Sequence, residues 1–325
     1  MKNIEPAVQT MFVQYTVAPG ALVDHTVDLS QIASLANRRF YRQGLNWAVA
    51  GIKVITNAAA TGSIISQKLP NTWTLANSWT KGFKTWQEMN KKALEETEGV
   101  QGRFLDFKIY ADSIHHTAGY GANLLPRDST GAVATPGEWI PSEIRAPNGS
   151  ITVPFELIGV GDNYPGVGAS GIDAVSLVQG YANSRSLPDV VDPNTPAEAT
   201  DAIGLTPENW MSALSNEGTN QDSEVIADLT AYDQPPYPYE NDGTAVTTMY
   251  PGGGTQLPGL EVSDTAFFTG TTIGNISYLK GGNFPCGLMR FNTLNSGSQP
   301  LGVSLLIDLV PGHHRGYMAE SMLEM

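Results

Sequence analysis

The amino-acid sequence predicts a mainly β protein with a few short helices. Among its 325 residues are 34 Gly and 21 Pro, a share above the usual one that fits many short strands joined by tight turns. Strand-length segments with apolar or alternating patterns recur from one end of the chain to the other. The sequence has only one long helical pattern, so we expect strands to form the framework of the fold.

The first third of the chain contains most of the early strand patterns. A Pro19-Gly20 turn separates the first two patterns, and Asp28 then opens a short helical pattern that ends in a basic cluster. The predicted strands are residues 8–17, 21–27, 46–56, 64–69 and 103–111.

The long helical pattern covers residues 69–98 and stops at Gly99. Trp79, Phe83 and Trp86 recur on one stripe at helix spacing, with lysines on the other side. A stripe with two Trp needs a large apolar partner. We therefore expect Trp79 and Trp86 to be core anchors that hold this helix on the first group of strands.

The second part of the chain repeats the order of strands, helix and strands. Asn148-Gly149 is a strong hairpin signal between strand patterns 138–145 and 150–159. A partly helical insertion follows near residues 172–233, and strand patterns return at 245–249, 260–269, 273–279, 286–292 and 303–310. This order predicts two domains, residues 1–130 and residues 131–325.

Charge is distributed unequally along the chain, whose formal net charge is −14. Residues 1–127 hold 13 Lys and Arg against 9 Asp and Glu, whereas residues 128–325 hold 5 against 23. Between Arg185 and Lys280 there are 14 carboxylates and no Lys or Arg. Such a segment repels phosphate, so we expect no direct binding of nucleic acid.

Three motifs could indicate a cofactor, metal or catalytic site, but the residues around each motif argue against that function. Residues 166–171 match GxGxxG, but Pro165 and a hairpin precede them where a dinucleotide fold requires a parallel strand. The pairs His115-His116 and His313-His314 lack a supporting carboxylate or Cys spacing for a metal. Cys286 has no base close to it in sequence. We predict no catalytic, cofactor or metal site, and hence no enzyme.

The basic cluster at residues 38–42 is the one candidate interaction site. It contains Arg38, Arg39 and Arg42, interleaved with two aromatic residues. Single-stranded nucleic-acid sites combine such residues, but three arginines are few in an acidic chain. We expect a subunit interface with the acidic part of a neighbouring copy, with an internal ion pair as the alternative.

No apolar run approaches the length of a membrane-spanning helix, and the first ten residues lack the apolar block of a signal peptide. These features and the single Cys286 predict a soluble protein made in a reducing cytoplasm.

Several segments together resemble a known family. They are DLSQIASLANRRFYRQGLNWAVAGIKV (28–54), KLPNTWTLANSWTKGFKTWQEMN (68–90), DFKIYAD (106–112), the PPYPY loop (235–239) and NFPCGLMRF (283–291). The family is the major capsid proteins of small tailless icosahedral bacteriophages. The strongest likeness is to the double-jelly-roll capsid proteins of membrane-containing single-stranded DNA phages, such as the Flavobacterium-infecting lipid-containing phage.

The resemblance implies a double jelly roll, two eight-stranded β-barrels side by side. It further implies a structural subunit that trimerises into pseudo-hexagonal capsomers of an icosahedral virion shell. The expected partners are further copies of the chain and other capsid proteins such as penton and minor proteins. An internal membrane would be a possible indirect partner, and no cofactor is expected.

Two alternatives stay open at this stage. A carbohydrate-binding or receptor-binding β-sandwich, such as a spike protein, would share the strands, turns and acidity. A cupin-type barrel enzyme would need clustered His and Glu on neighbouring strands, and the two His pairs do not supply that spacing.

Overall fold

A computed structural model describes residues 6–93, 106–148, 151–186 and 259–325 of the chain. The protein is mainly β, with curled antiparallel sheets and a few helices. It divides into two compact units. Unit 1 consists of Met1–Asn71, Ala118–Ile140 and Leu260–Met325, and unit 2 consists of Thr72–Thr117 and Pro141–Gly259.

Unit 1 contains two main β-sheets. The first holds β1 (Thr10–Val17), β3 (Leu45–Thr56), β9 (Ile276–Phe284), β11 (Leu301–Leu309) and the short β14 (Ala319–Ser321). The second holds β2 (Leu22–Asp28), β4 (Gly62–Lys68), β8 (Glu261–Phe268) and β10 (Leu288–Asn295). A small hairpin of β12 (Pro311–Gly312) and β13 (Gly316–Tyr317) lies near the C-terminus.

The strand order of unit 1 is that of a jelly roll. In the first sheet β11 pairs with β1 and β3, and β3 pairs with β9; in the second the order is β2-β10-β4-β8. The first strand therefore pairs with the last of these eight, and the second pairs with the second to last, all antiparallel. This wrapped arrangement of eight strands in two sheets defines the jelly roll.

The core of unit 1 is apolar and comes from alternating strand positions. Every second residue of β1 and β11 is buried, as the two-residue period of a strand requires. In β3 the alternation shifts between Val49 and Ile52, where the pairing with β11 has a bulge. The largest fully buried side chains here include Trp47, Tyr41, Tyr317, Phe268, Phe284 and Phe291.

Helix α1 (Leu29–Asn37) follows β2 directly because Asp28 ends the strand and caps the helix. The Asp28 carboxylate accepts hydrogen bonds from the backbone N–H of Ser30 at 2.9 Å and of Gln31 at 3.2 Å. It also accepts from Gln43 Nε2 at 3.1 Å and Trp139 Nε1 at 2.9 Å. One fully buried side chain thus joins four segments of unit 1.

Unit 2 combines three helices with a three-stranded sheet in its described residues. The helices are α2 (Trp73–Ala93), α3 (Ser113–Ala118) and α4 (Leu177–Ser186). The strands are β5 (Glu143–Asn148), β6 (Ile151–Ile158) and β7 (Ala174–Ser176). Strands β5 and β6 form an antiparallel hairpin, whereas β7 runs parallel to β6. The predicted hairpin of these two strands is confirmed, and its turn at residues 149–150 lies outside the described ranges.

Helix α2 is the long helix that the sequence predicts, and its aromatic stripe packs inside unit 2. Trp79 is 4% exposed and stacks on Phe83, with ring centroids 5.0 Å apart. Both tryptophans also contact the Phe107 ring. The ring-centroid distance is 5.7 Å for buried Trp79 and 5.6 Å for half-buried Trp86. We expected these tryptophans to hold the helix on the first barrel. The ring contacts instead lie within unit 2, because Phe107 supplies the apolar partner there.

The observed units differ from the predicted division at residue 130. Strands on both sides of that residue pair in the same two sheets, for instance β1 with β11. The reason is that the segment from Thr72 onward folds as unit 2 between β4 and β8. Unit 1 is therefore built from both ends of the chain.

One helical prediction is wrong in part, and other predictions lie in residues that the structure does not describe. Residues 172–181, expected to be helical, contain β7 before α4 begins at Leu177. The predictions for residues 206–249 and 94–98 lie outside the described residues. None of the helices in the described ranges is long and apolar enough to cross a membrane.

Replacing Asp28 with Ala should destabilise unit 1 strongly. The change removes the helix cap and the carboxylate that accepts from Trp139 Nε1 and Gln43 Nε2, although Gln43 Nε2 also donates to Tyr120 Oη at 3.2 Å. Loss of a cap together with lost hydrogen bonds to a buried carboxylate costs about 2–4 kcal/mol. Chemical denaturation followed by far-UV circular dichroism measures the change, and an unfolding free energy equal to wild type would contradict it.

Trp79 and Trp86 should differ in their contributions to unit 2. Truncation of a fully packed aromatic costs about 3–5 kcal/mol, so Trp79→Ala should fall in that range. Trp86→Ala is the matched control and should cost clearly less, because its side chain is only half-buried. Thermal unfolding of the two variants compares them, and equal losses would show that burial does not decide the cost here.

Candidate functional site

The predicted interface arginines lie on the surface at the end of α1. Arg38, Arg39 and Arg42 are all exposed. Arg38 terminates the helix in the left-handed conformation, with φ of 53° and ψ of 40°, and its backbone N–H donates to Ser34 O. This cap ends the helix, and the rest of the basic cluster lies in the loop between α1 and β3.

A fourth arginine joins this cluster from the far end of the sequence. Arg315 lies in the turn between β12 and β13 and is exposed, with φ of 50°. Its Nη1 donates to Phe40 O at 2.6 Å, and its own carbonyl accepts from Tyr41 Oη at 2.9 Å. We call Arg38, Arg39, Arg42 and Arg315 together the basic patch.

Sequence reasoning missed Arg315 because no local pattern links it to residues 38–42. The adjacent pair His313-His314 suggests metal ligands before it suggests a charged surface. The one local sign of such a surface is the basic stretch His313-His314-Arg315, which lies between two glycines. Only the pairing of distant strands brings this turn beside the loop after α1.

A buried aromatic cluster supports the basic patch from below. The rings of Tyr41, Trp47 and Tyr317 lie with their centroids 5.4 to 5.9 Å apart. Tyr317 Oη donates to Val8 O and accepts from Asn37 Nδ2, both at 2.6 Å. Burial raises the pKa of Tyr317 to about 12, so this hydroxyl stays protonated and holds both bonds.

His314 is a second titratable neighbour of the patch, and its pKa is also shifted. Partial burial lowers the pKa of His314, and the positive charges of Arg315 and Arg42 lower it further. Its ring lies 6.4 Å from that of Tyr41. The imidazole is therefore neutral near pH 7, and the positive charge of this surface comes from the arginines.

The other histidine pair, His115-His116, lies in unit 2, and both side chains are buried there. His116 Nε2 lies 2.8 Å from Glu156 Oε2, and both side chains are buried. His115 Nδ1 accepts from the backbone N–H of Ala111 at 3.1 Å. The two pairs therefore belong to different units. In the described part of the chain, no group of three or more His, Cys, Asp or Glu side chains is placed to hold a metal ion.

The GxGxxG stretch forms a loop that leads into β7, and no helix starts at its last glycine. A side chain at Gly168 would meet the His116 ring at 2.4 Å from Nε2. The glycine is thus needed for close packing against a buried histidine. Packing therefore explains why residue 168 is a glycine, and binding of a phosphate group is not needed to explain it.

Cys286 is fully buried beside the Asp28 region. Burial raises the pKa of its thiol, and the nearby Asp28 charge raises it further. A thiol in this state is a weak nucleophile, since the thiolate is the reactive form. Its position fits packing against the core.

Comparisons with known proteins identify no relative: no family model, no curated protein and no solved structure matches the chain. The interpretation of the basic patch therefore rests on its own geometry. That geometry is four exposed arginines on one surface, with Arg315 hydrogen-bonded to Phe40 O and Tyr41 Oη, and guanidinium groups are suited to binding anionic groups.

The half-buried His314 should make unit 1 less stable in acid. An unfolded histidine takes up a proton near pH 6.5, whereas folding lowers the pKa of His314. Stability should therefore fall as pH drops below about 6.5. In urea denaturation at a series of pH values, His314→Gln should lose less stability than wild type.

The matched control for this experiment is His313→Gln, at the exposed neighbouring position. It should follow the wild-type pH dependence. A His314→Gln profile that coincides with wild type between pH 7 and 5 would contradict the prediction.

Proposed function

We propose that this chain is a structural subunit of an icosahedral viral capsid. The observation that supports the proposal most is the jelly-roll strand order of unit 1. Viral capsid domains are one of the main groups of proteins built on this arrangement, together with lectins and cupins. Because a fold does not define a function by itself, the other two groups must be compared on their sites.

The interior of unit 1 argues against a cupin-type enzyme. Such an enzyme uses the inside of its barrel as the active site. Here the space between the sheets is filled by apolar and aromatic side chains, among them Met11, Trp47, Phe291, Val303 and Leu305. A packed core of this kind suits a building block, and it supports the proposal that the chain has no enzymatic role.

A receptor-binding or carbohydrate-binding sandwich is the second candidate. Two exposed aromatic side chains favour it: Phe267 on β8 is 75% exposed, and Tyr278 on β9 is 70% exposed. Aromatic rings on a surface can bind ligands with one apolar face. The same exposed residues would also be expected at contacts between capsid subunits.

The finer architecture belongs to the proposal as well. A double jelly roll requires a second eight-stranded barrel, and unit 2 is the part of the chain that would have to form it. Its described residues contribute the hairpin of β5 and β6 and the parallel strand β7. Residues 187–258 lie outside the description. We keep the second barrel as a prediction.

In the proposed role, three copies form a pseudo-hexagonal capsomer, and capsomers associate with penton and minor capsid proteins in the virion shell. The low basic content of the chain suits a shell that does not contact nucleic acid directly. A membrane between shell and genome would account for that composition.

The proposed function predicts a trimer in solution. Analytical ultracentrifugation should give a mass near three times the 34.7 kDa of the chain, and negative-stain microscopy should show hexagonal particles or shells. A stable monomer under all solution conditions would overturn the proposal. Binding of glycans by such a monomer would favour the second candidate.

A further inference from the structure

We infer that the basic patch is the contact surface for the carboxylate-rich segment 189–242 of a second copy of this chain. The inference rests on the proposed function, since it needs copies that associate. It adds a named partner segment and a fourth arginine to the predicted interface.

The backbone at the patch favours a role for the side chains in binding. Arg38 and Arg315 both have positive φ, 53° and 50°, a conformation that suits Gly and Asn better than Arg. Residues kept in unfavourable backbone regions cluster at functional sites. A glycine would end α1 at position 38 at lower cost. Two arginines in such positions on one surface therefore point to a use for their guanidinium groups.

The patch is also available to a partner. Arg38, Arg42 and Arg315 are exposed. Two ion pairs within the described ranges, Lys108 with Asp106 and His116 with Glu156, do not involve them. The charges of Arg42 and Arg315 act on His314, and Arg315 Nη1 donates a hydrogen bond to the carbonyl of Phe40. That bond fixes the orientation of the guanidinium and leaves its other donors for a partner.

The composition of the chain identifies the partner. Residues 189–242 contain twelve carboxylates and no Lys or Arg. A guanidinium group forms paired hydrogen bonds with a carboxylate, which gives such contacts directional strength. Every copy of the chain therefore carries both an exposed group of arginines and an acidic segment to match it. Two different surfaces that pair in this way form a head-to-tail contact, which can close into a ring.

Nucleic acid is the competing partner, and valency disfavours it. Each neutralised phosphate contributes a slope of about −0.9 to the salt dependence of binding, and nonspecific affinity comes from many such contacts. The patch offers four arginines on a chain with a net charge of −14. Four contacts against this overall repulsion give weak binding, whereas the acidic segment is present on every copy.

The test uses two charge-reversal variants of the full chain. The patch variant carries Arg38→Glu, Arg42→Glu and Arg315→Glu, and the acid variant carries Asp222→Lys, Glu224→Lys and Asp228→Lys. Each alone should sediment as a folded monomer. Mixed in equal amounts at low salt, they should bind each other, and this complex should dissociate in about 1 M salt, where screening is nearly complete.

Two further variants make the result decisive. The charge control is one variant that changes the net charge as much as the patch variant does, but at exposed positions outside the patch: Lys84→Glu, Arg145→Glu and Lys280→Glu. This control should assemble like wild type. Arg38→Gly with Arg315→Gly removes the guanidinium groups and relieves the backbone. It should keep wild-type melting and lose association. A drop in melting that accompanies lost association would assign the arginines to the fold.

The remaining outcomes separate this inference from the proposed function. A wild-type chain that stays monomeric overturns both. If wild type and the patch variant assemble equally, only the inference fails. It also fails if a chain with all twelve carboxylates of residues 189–242 replaced by amides assembles normally. A wild type that binds single-stranded DNA through the patch, while the patch variant still assembles, would assign the patch to nucleic acid.

Discussion

The buried carboxylate of Asp28 is the interaction on which the arrangement of unit 1 depends most. It lies where β2 of one sheet gives way to α1, and its four donors come from α1, the approach to β3 and the segment around Trp139. Burial raises the pKa of Asp28, while the hydrogen bonds from Gln43, Trp139 and the backbone lower it. A buried carboxyl group is tolerated at this point because each of its oxygens has donors.

The basic patch follows from that junction. Once Asp28 fixes the start of α1, the length of the helix places Arg38 at its C-terminal end. The loop beyond it then meets the β12–β13 turn through Tyr41, Trp47 and Tyr317. The exposed arginines are thus positioned by buried groups on two segments that lie far apart in the sequence.

Much of the local structure could be predicted from the sequence, whereas the partners of the strands could not. Asp28 before an apolar repeat indicated α1, and Asn148-Gly149 indicated the hairpin of β5 and β6. A two-residue period identifies the buried face of a strand, but it does not say which strand lies beside it. The pairing of β1 with β11 joins residues almost 300 positions apart. Because such long-range pairing cannot be read from local patterns, the sequence did not link Arg315 to residues 38–42. For the same reason the predicted domain boundary at residue 130 differs from the observed units.

The insertion of unit 2 between β4 and β8 fits the energetics of chain closure. The entropy cost of closing a loop grows only with the logarithm of its length, so a long insertion adds little. The jelly roll then needs its N-terminal and C-terminal strands to meet, and this long-range pairing slows folding. The two arginines at positive φ, Arg38 at the end of α1 and Arg315 in the β12–β13 turn, are exposed and lie outside the apolar core of unit 1.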